Sequence, residues 1–133
     1  MADEDQEETL YHGTTYDVAQ RIFARKAFEA RETYFSSTRE LAEFFARRSS
    51  AKSRAGHGPA VLKIVLYQSD LNAWKQNRLV LSKGFSEGDR PDLRGKTQLV
   101  FSAEAIRLLN LNMFADDLLI EPVERDARNA QRR

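Results

Sequence analysis

Cysteine is absent from the 133 residues, so disulfides, thiolate nucleophiles and cysteine-based zinc sites are excluded. Histidine is nearly absent: His12 and His57 lie far apart with no His-x-x-x-His pairing, and no bound metal is expected. No apolar run approaches the ~20 residues that a helix needs to cross a bilayer. The start, residues 1–8, is acidic and lacks the basic-then-apolar order of a secretion signal. A cytoplasmic protein with no membrane association is therefore expected. Glycine-rich phosphate loops are missing too. Gly56-His57-Gly58 has Val61 where a dinucleotide fingerprint needs its third glycine, and it precedes a strand rather than joining strand to helix. No Gly-x-x-x-x-Gly-Lys-Ser/Thr occurs. Asp116-Asp117 suggests Mg²⁺ binding, but neighbours on a strand face opposite ways, and the pair reads as solvated acids.

What is present is enough for a core. The chain is 41% apolar and 31% charged, with eight Phe, four Tyr and one Trp, which suits one folded domain and argues against wholesale disorder. The net charge of +1 hides a segregation: five acids fall within residues 1–8, leaving the remainder with 21 bases and 15 acids. Between Phe44 and Ser69 there is no acid, while Arg47, Arg48, Lys52, Arg54 and Lys63 occur there. Such a stretch is either a solvated helix end and loop or a surface for nucleic-acid phosphate; Arg47, Arg48, Lys52 and Arg54 are its candidate contacts.

Patterning divides the chain into an acidic disordered tail (1–8), a folded body (9–124) and a charged tail (125–133). Thr9-Leu-Tyr-His-Gly predicts a short strand breaking at Gly13. Val18, Ala19, Ile22 and Phe23 then recur at helical spacing. Thr33-Tyr-Phe-Ser predicts a second strand, and Ser37-Thr-Arg-Glu40 has the form of a capping box opening a helix through Phe45. Residues 49–59 read as a mobile loop and 60–67 as a mostly buried strand. A short strand at 78–81, a long exposed loop at 83–95 and a strand at 98–101 follow. A short helix at 102–109 and a last strand within 113–123 complete an irregular mixture, which points to an α+β fold.

Three short elements on three predicted strands carry the chemistry: Tyr11-His12-Gly13-Thr14, Thr33-Tyr34-Phe35-Ser36 and Thr97-Gln98-Leu99-Val100-Phe101. Together with the helix segment Leu41-Ala42-Glu43-Phe44-Phe45-Ala46, they resemble the ADP-ribosyltransferase family over residues 9–109. The branch is that of diphtheria toxin and the poly-ADP-ribose polymerases, which has a His-Gly-Ser/Thr strand, a Tyr-Phe strand before a helix, and an acid or glutamine on a late strand. The resemblance implies a single-domain fold with a split, mainly antiparallel β core and short flanking helices. It also implies NAD⁺ as substrate, no metal, and His12, Tyr34 and Gln98 as catalytic residues. His12, Gly13, Thr14, Tyr34, Phe35 and Ser36 would hold the dinucleotide.

Taken singly these features are ordinary: a turn at His-Gly, a core tyrosine, an exposed strand glutamine. Physical chemistry nevertheless suits the roles. Breaking the glycosidic bond of NAD⁺ passes through an oxocarbenium-like state. His12 is expected to donate to the adenosine ribose, bare backbone at Gly13 to approach the nicotinamide amide, Tyr34 to stack on its ring, and Gln98 to hold the reacting ribose. Many family members have glutamate at the last position, whose charge opposes the developing cation; glutamine supplies less. Glu104 is a possible substitute acid, but its place in a helix's first turn is also where the macrodipole favours an acid.

The expected activity is transfer of one ADP-ribose from NAD⁺ to a macromolecule, with nucleic acid, particularly RNA, somewhat preferred over protein. The resemblance extends to small prokaryotic or phage toxins and defence effectors, which implies a partner antitoxin. The alternatives are a non-catalytic module binding NAD⁺, ADP-ribose or a nucleic-acid end, and an NAD⁺ glycohydrolase.

Overall fold

The computed structural model describes residues 5–86 and 90–124. The tails expected at 1–4 and 125–133, and residues 87–89 of the expected long loop, lie outside the described residues. The chain runs β1 (Glu7–Thr15), α1 (Tyr16–Arg25), β2 (Thr33–Ser36), α2 (Arg39–Ala51), β3 (Pro59–Tyr67), α3 (Gln68–Gln76), β4 (Val80–Gly84), β5 (Thr97–Phe101), α4 (Ala103–Asn112) and β6 (Leu119–Pro122). A 3₁₀ turn at Ala115–Asp117 precedes β6. The six strands form one sheet in the order β4-β5-β2-β1-β3-β6, with every neighbouring pair antiparallel. The fold is α+β.

Alternation along the strands gives the sheet two different faces. Leu10, Phe35, Leu62, Ile64, Leu66, Leu99 and Phe101 point to one, where Ala19 and Ile22 of α1, Leu71 and Trp74 of α3, and Ala105, Ile106 and Leu109 of α4 complete the main core. The other face is covered by α2. Its Ala42 and Ala46 pack on Tyr11, Val61 and Val123. Its Leu41, Phe44 and Phe45 meet Phe85 and Leu93. The 83–95 segment is therefore not simply an exposed loop: Phe85 and Leu93 are buried, and backbone bonds between Phe85 and both Gly95 and Lys96 close it as a folded turn.

Several boundaries differ from the sequence expectation for local reasons. Pairing of β1 with β3 already begins at Glu7↔Tyr67, and the Asp5 carboxylate accepts from the Ser69 backbone and hydroxyl, so residues 5–8 belong to the fold. β1 does not break at Gly13 but passes through it to Thr15. α2 is capped by Thr38, whose hydroxyl accepts from Leu41 N at 3.4 Å, rather than by a Ser37–Glu40 box. It continues to Ala51, into the expected loop. The remaining 52–58 segment is tied down: Ser50 Oγ donates to His57 O (2.7 Å), and Tyr16 N donates to Gly58 O (2.8 Å). The last segment is a 3₁₀ turn followed by a short strand, with Asp116 and Asp117 exposed on the turn.

The feature that positions the site is the joint between β1 and β2. Strand β1 pairs with β3 along its whole length, but with β2 only at Tyr11↔Ser36. Beyond that pair the two strands part, and His12, Gly13 and Tyr34 stand at the opening.

Candidate functional site

Directly paired residues of an antiparallel ladder share a face. The registers Tyr11↔Ser36, Ser36↔Gln98 and Lys83↔Gln98 therefore set one row across β1, β2, β5 and β4 on the face covered by α2. Tyr34, two residues along β2 from Ser36, shares that face. The result is a hollow of about 390 Å³ lined by His12, Gly13, Tyr34, Ser36, Phe45, Arg48, Ser49, Lys83 and Gln98. His12, Tyr34 and Gln98, singled out in the sequence, thus all line one hollow, although the His12 ring itself turns toward Phe28 and Phe35 on the opposite face. A second hollow, about 440 Å³, lies between α1 and the 26–34 segment; it too is lined by His12 and Tyr34, with Thr14, Arg21, Arg25, Phe28 and Arg31 among its other walls. Each hollow lies in the range of small-molecule sites, about 300–1,000 Å³.

His12 is held from three sides. Its Nδ1 lies 2.7 Å from Tyr34 O across the gap between β1 and β2. Its ring packs on Phe28 (centroids 5.7 Å) and Phe35 (5.4 Å). A carbonyl oxygen only accepts, so Nδ1 carries the hydrogen. Burial lowers the His12 pKa below its ordinary 6.5, against the opposing pull of the Tyr34 carbonyl and with some help from the Arg31 charge. The neutral ring then presents Nε2 as an acceptor. This reverses the expected direction: His12 accepts from, rather than donates to, a hydroxyl placed there.

Gly13 also acquires a different reason. A Cβ at this position would collide with the Ala42 carbonyl oxygen and lie 2.7 Å from Ala46 N, both backbone atoms of α2. The bare position is filled by the helix, so glycine here lets α2 lie directly on β1.

Gln98 is only 6% exposed and Ser36 2%. Both line the hollow, and neither is sealed off as a buried polar group without a partner. Tyr34 is 40% exposed, and Lys83 Nζ stands 5.4 Å from its ring centroid. Arg48 lies over Phe44 and Phe45, at 4.9 and 5.4 Å.

Other expected residues distribute differently. Thr14 lines the α1 hollow and not the Gln98 hollow. Phe35 is fully buried on the opposite face and lines neither; it supports the His12 ring, which corrects its assignment as a direct dinucleotide contact. The basic set splits. Arg48 enters the hollow, Arg47 donates to Glu124 O (3.1 Å), and Lys52 and Arg54 are exposed beyond the end of α2. Glu104 sits in the first turn of α4 and lines neither hollow.

Sequence reasoning missed Phe45, Ser49 and Lys83 in one hollow and Arg21, Arg25 and Arg31 in the other. The Arg21/Arg25 spacing of four was a usable signal, since such residues share a helix face. Lys83 enters only through the β4–β5 register, which no local pattern announced. Among the described residues no group of three or more His, Asp or Glu is arranged to hold a metal ion, and no helix is long and apolar enough to cross a membrane. Comparison with protein-family models, with curated proteins and with solved structures finds no match.

Proposed function

We propose that this protein binds NAD⁺ across the two hollows and transfers a single ADP-ribose to a macromolecule. The observation that carries this reading is the Gln98 hollow itself: His12, Tyr34 and Gln98, distant in sequence, line one space.

In this reading Arg21, Arg25 and Arg31 receive the diphosphate, because guanidinium groups match phosphate oxygens in geometry and charge. His12 Nε2 accepts from an adenosine ribose hydroxyl. The nicotinamide lies against the exposed Tyr34 face, where aromatic stacking contributes about 0.5–1.5 kcal/mol beyond area burial. Gln98 Oε1 accepts from a hydroxyl of the reacting ribose and turns a partial negative charge toward the developing oxocarbenium. An amide supplies less field than a carboxylate. Losing one preorganised contact of this kind costs about 3–4 kcal/mol, or two to three orders of magnitude in rate, so slow turnover is expected.

One observation favours a second reading. Among the described residues lining the Gln98 hollow there is no carboxylate, while Arg48 and Lys83 are present; a module that binds NAD⁺ or ADP-ribose without cleaving it would look the same. NAD⁺ labelled in its adenylate, incubated with the protein and separately with cell protein, RNA and DNA, distinguishes these readings. Label on a macromolecule supports transfer. Free ADP-ribose alone means a glycohydrolase, and saturable binding without nicotinamide release means a binding module.

A further inference from the structure

The sheet ends at β4, and that end is open. Strand β4 is the outermost of the six and, among the described residues, pairs with β5 only. Two backbone bonds bracket it: Ser102 N donates to Leu79 O (2.9 Å), and Phe85 N donates to Lys96 O (2.9 Å). They fix the phase of the ladder. In an antiparallel pair the bonded residues alternate, each turning both its N–H and its C=O to the same neighbour. Leu81 and Lys83, at even steps between Leu79 and Phe85, therefore bond toward β5. Ser82 and Gly84 turn theirs to the open side, and both residues are exposed.

The side chains along this edge select what pairs there. Leu81 is 58% exposed and stands in register with Val100 and, through it, with Tyr34, so an apolar row crosses β4, β5 and β2 on one face. Lys83 lies two residues on, on that same face. No acid occurs from residue 71 to residue 86, whereas Lys75, Arg78 and Lys83 do, all exposed. A lysine on an edge strand discourages pairing with a second copy, because like charges then meet. The same charge favours an acidic strand.

We propose that the free edge of β4 is a docking site for an extended acidic peptide of a partner protein, which adds to the sheet as an antiparallel strand. Main-chain bonds to Ser82 and Gly84 hold the peptide, and side-chain pairs set its choice. Opposite Leu81 the partner carries an apolar residue; opposite Lys83, two positions away, it carries Asp or Glu. This assignment stands apart from the NAD⁺ reading, although the two touch at Lys83, which lines the Gln98 hollow. An acid paired with Lys83 draws the ammonium from the Tyr34 ring, so an occupied edge is felt in the hollow.

The test titrates the isotopically labelled full chain with the end-blocked heptapeptide Ser-Glu-Thr-Val-Thr-Glu-Ser, followed through amide chemical shifts. Saturable shifts are expected at Ser82 and Gly84, with a dissociation constant below about 1 mM. A peptide with lysine in place of both glutamates should bind at least tenfold more weakly, and Lys83→Gln should abolish that difference. N-methylation of both threonines, whose N–H groups face β4 in this register, should remove binding, whereas N-methylation of the valine should not. Ser82→Pro deletes an N–H that the β4–β5 ladder does not use; it should remain folded and lose at least tenfold in peptide affinity. Shifts confined to another surface, equal binding of the glutamate and lysine peptides, or no saturable binding at millimolar peptide overturns the proposal. So does a folded Ser82→Pro that binds as the parent does. Loss of the fold in Ser82→Pro would contradict the ladder phase on which the proposal stands.

Discussion

Replacing Gly13 with alanine adds one methyl group at the place where the site and the fold depend on each other. That carbon would collide with the Ala42 carbonyl oxygen and lie 2.7 Å from Ala46 N. Both obstacles are backbone, so no side-chain rotation relieves the clash; α2 must move away from β1 or β1 must bend. Overpacking of a well-fitted interior costs typically about 1–3 kcal/mol, and a clash between two backbones belongs at the top of that range. At about 4 °C per kcal/mol for a domain of this length, the melting temperature should fall by roughly 10 °C. The helix also carries Phe45, Arg48 and Ser49 into the hollow, so its displacement should weaken NAD⁺ binding at least tenfold at temperatures where the variant is still folded. Thermal unfolding by circular dichroism and titration calorimetry read the two effects separately. Gly58→Ala is the control, because a Cβ there meets nothing within 4 Å. A Gly13→Ala variant melting within about 2 °C of wild type would show that α2 does not lie on β1 as described.

Tyr34→Ala should lower the melting temperature by only a few degrees, because the residue is 40% exposed and lies outside the buried core. It should lower NAD⁺ affinity at least tenfold, about 1.4 kcal/mol, while Tyr34→Phe retains binding; equal affinities for all three proteins would remove the stacking role. Gln98→Glu should change the rate of nicotinamide release at least tenfold in either direction, since a carboxylate strengthens the field at the ribose but must be buried beside Lys83 and Arg48; an indifferent rate would place the reacting ribose elsewhere. For His12 the folded-state pKa is lowered, chiefly by burial, so the unfolded chain takes up this proton more readily. Stability from this residue is present above pH 6.5 and is lost as pH falls from there toward the lowered value. Urea midpoints at pH 7.5 and 5.5 should therefore diverge more in wild type than in His12→Gln, and equal divergence would mean the ring is not disfavoured from charging.

How far the sequence could be read depended on whether the controlling interaction was local. The helix through Val18, Ala19, Ile22 and Phe23, the strand Thr33–Ser36 and the buried strand ending at Tyr67 follow from periodicity and side-chain type, and each forms close to its expected bounds. The α3 helix, with Leu71 and Trp74 turned into the core, is a short segment whose apolar pattern is too brief to declare itself. Gly13 looked like a strand end because glycine commonly terminates strands, yet its cause is α2, which begins many residues later. Phe35 and Tyr34 are neighbours in one motif, but strand alternation sends the first into the core and the second to the hollow. Lys83 and Arg48 required the pairing of β4 with β5 and the seating of α2, tertiary facts that no short window contains.

The central claim is that one dinucleotide spans the two hollows that meet at His12 and Tyr34. Its most direct test is a titration of the isotopically labelled full chain with NAD⁺, followed residue by residue through amide chemical shifts. The account predicts saturable shifts at His12, Gly13, Tyr34 and Gln98, together with Arg21, Arg25 and Arg31 in the adjoining hollow. Saturable shifts confined to another surface, or none at millimolar NAD⁺, would contradict it.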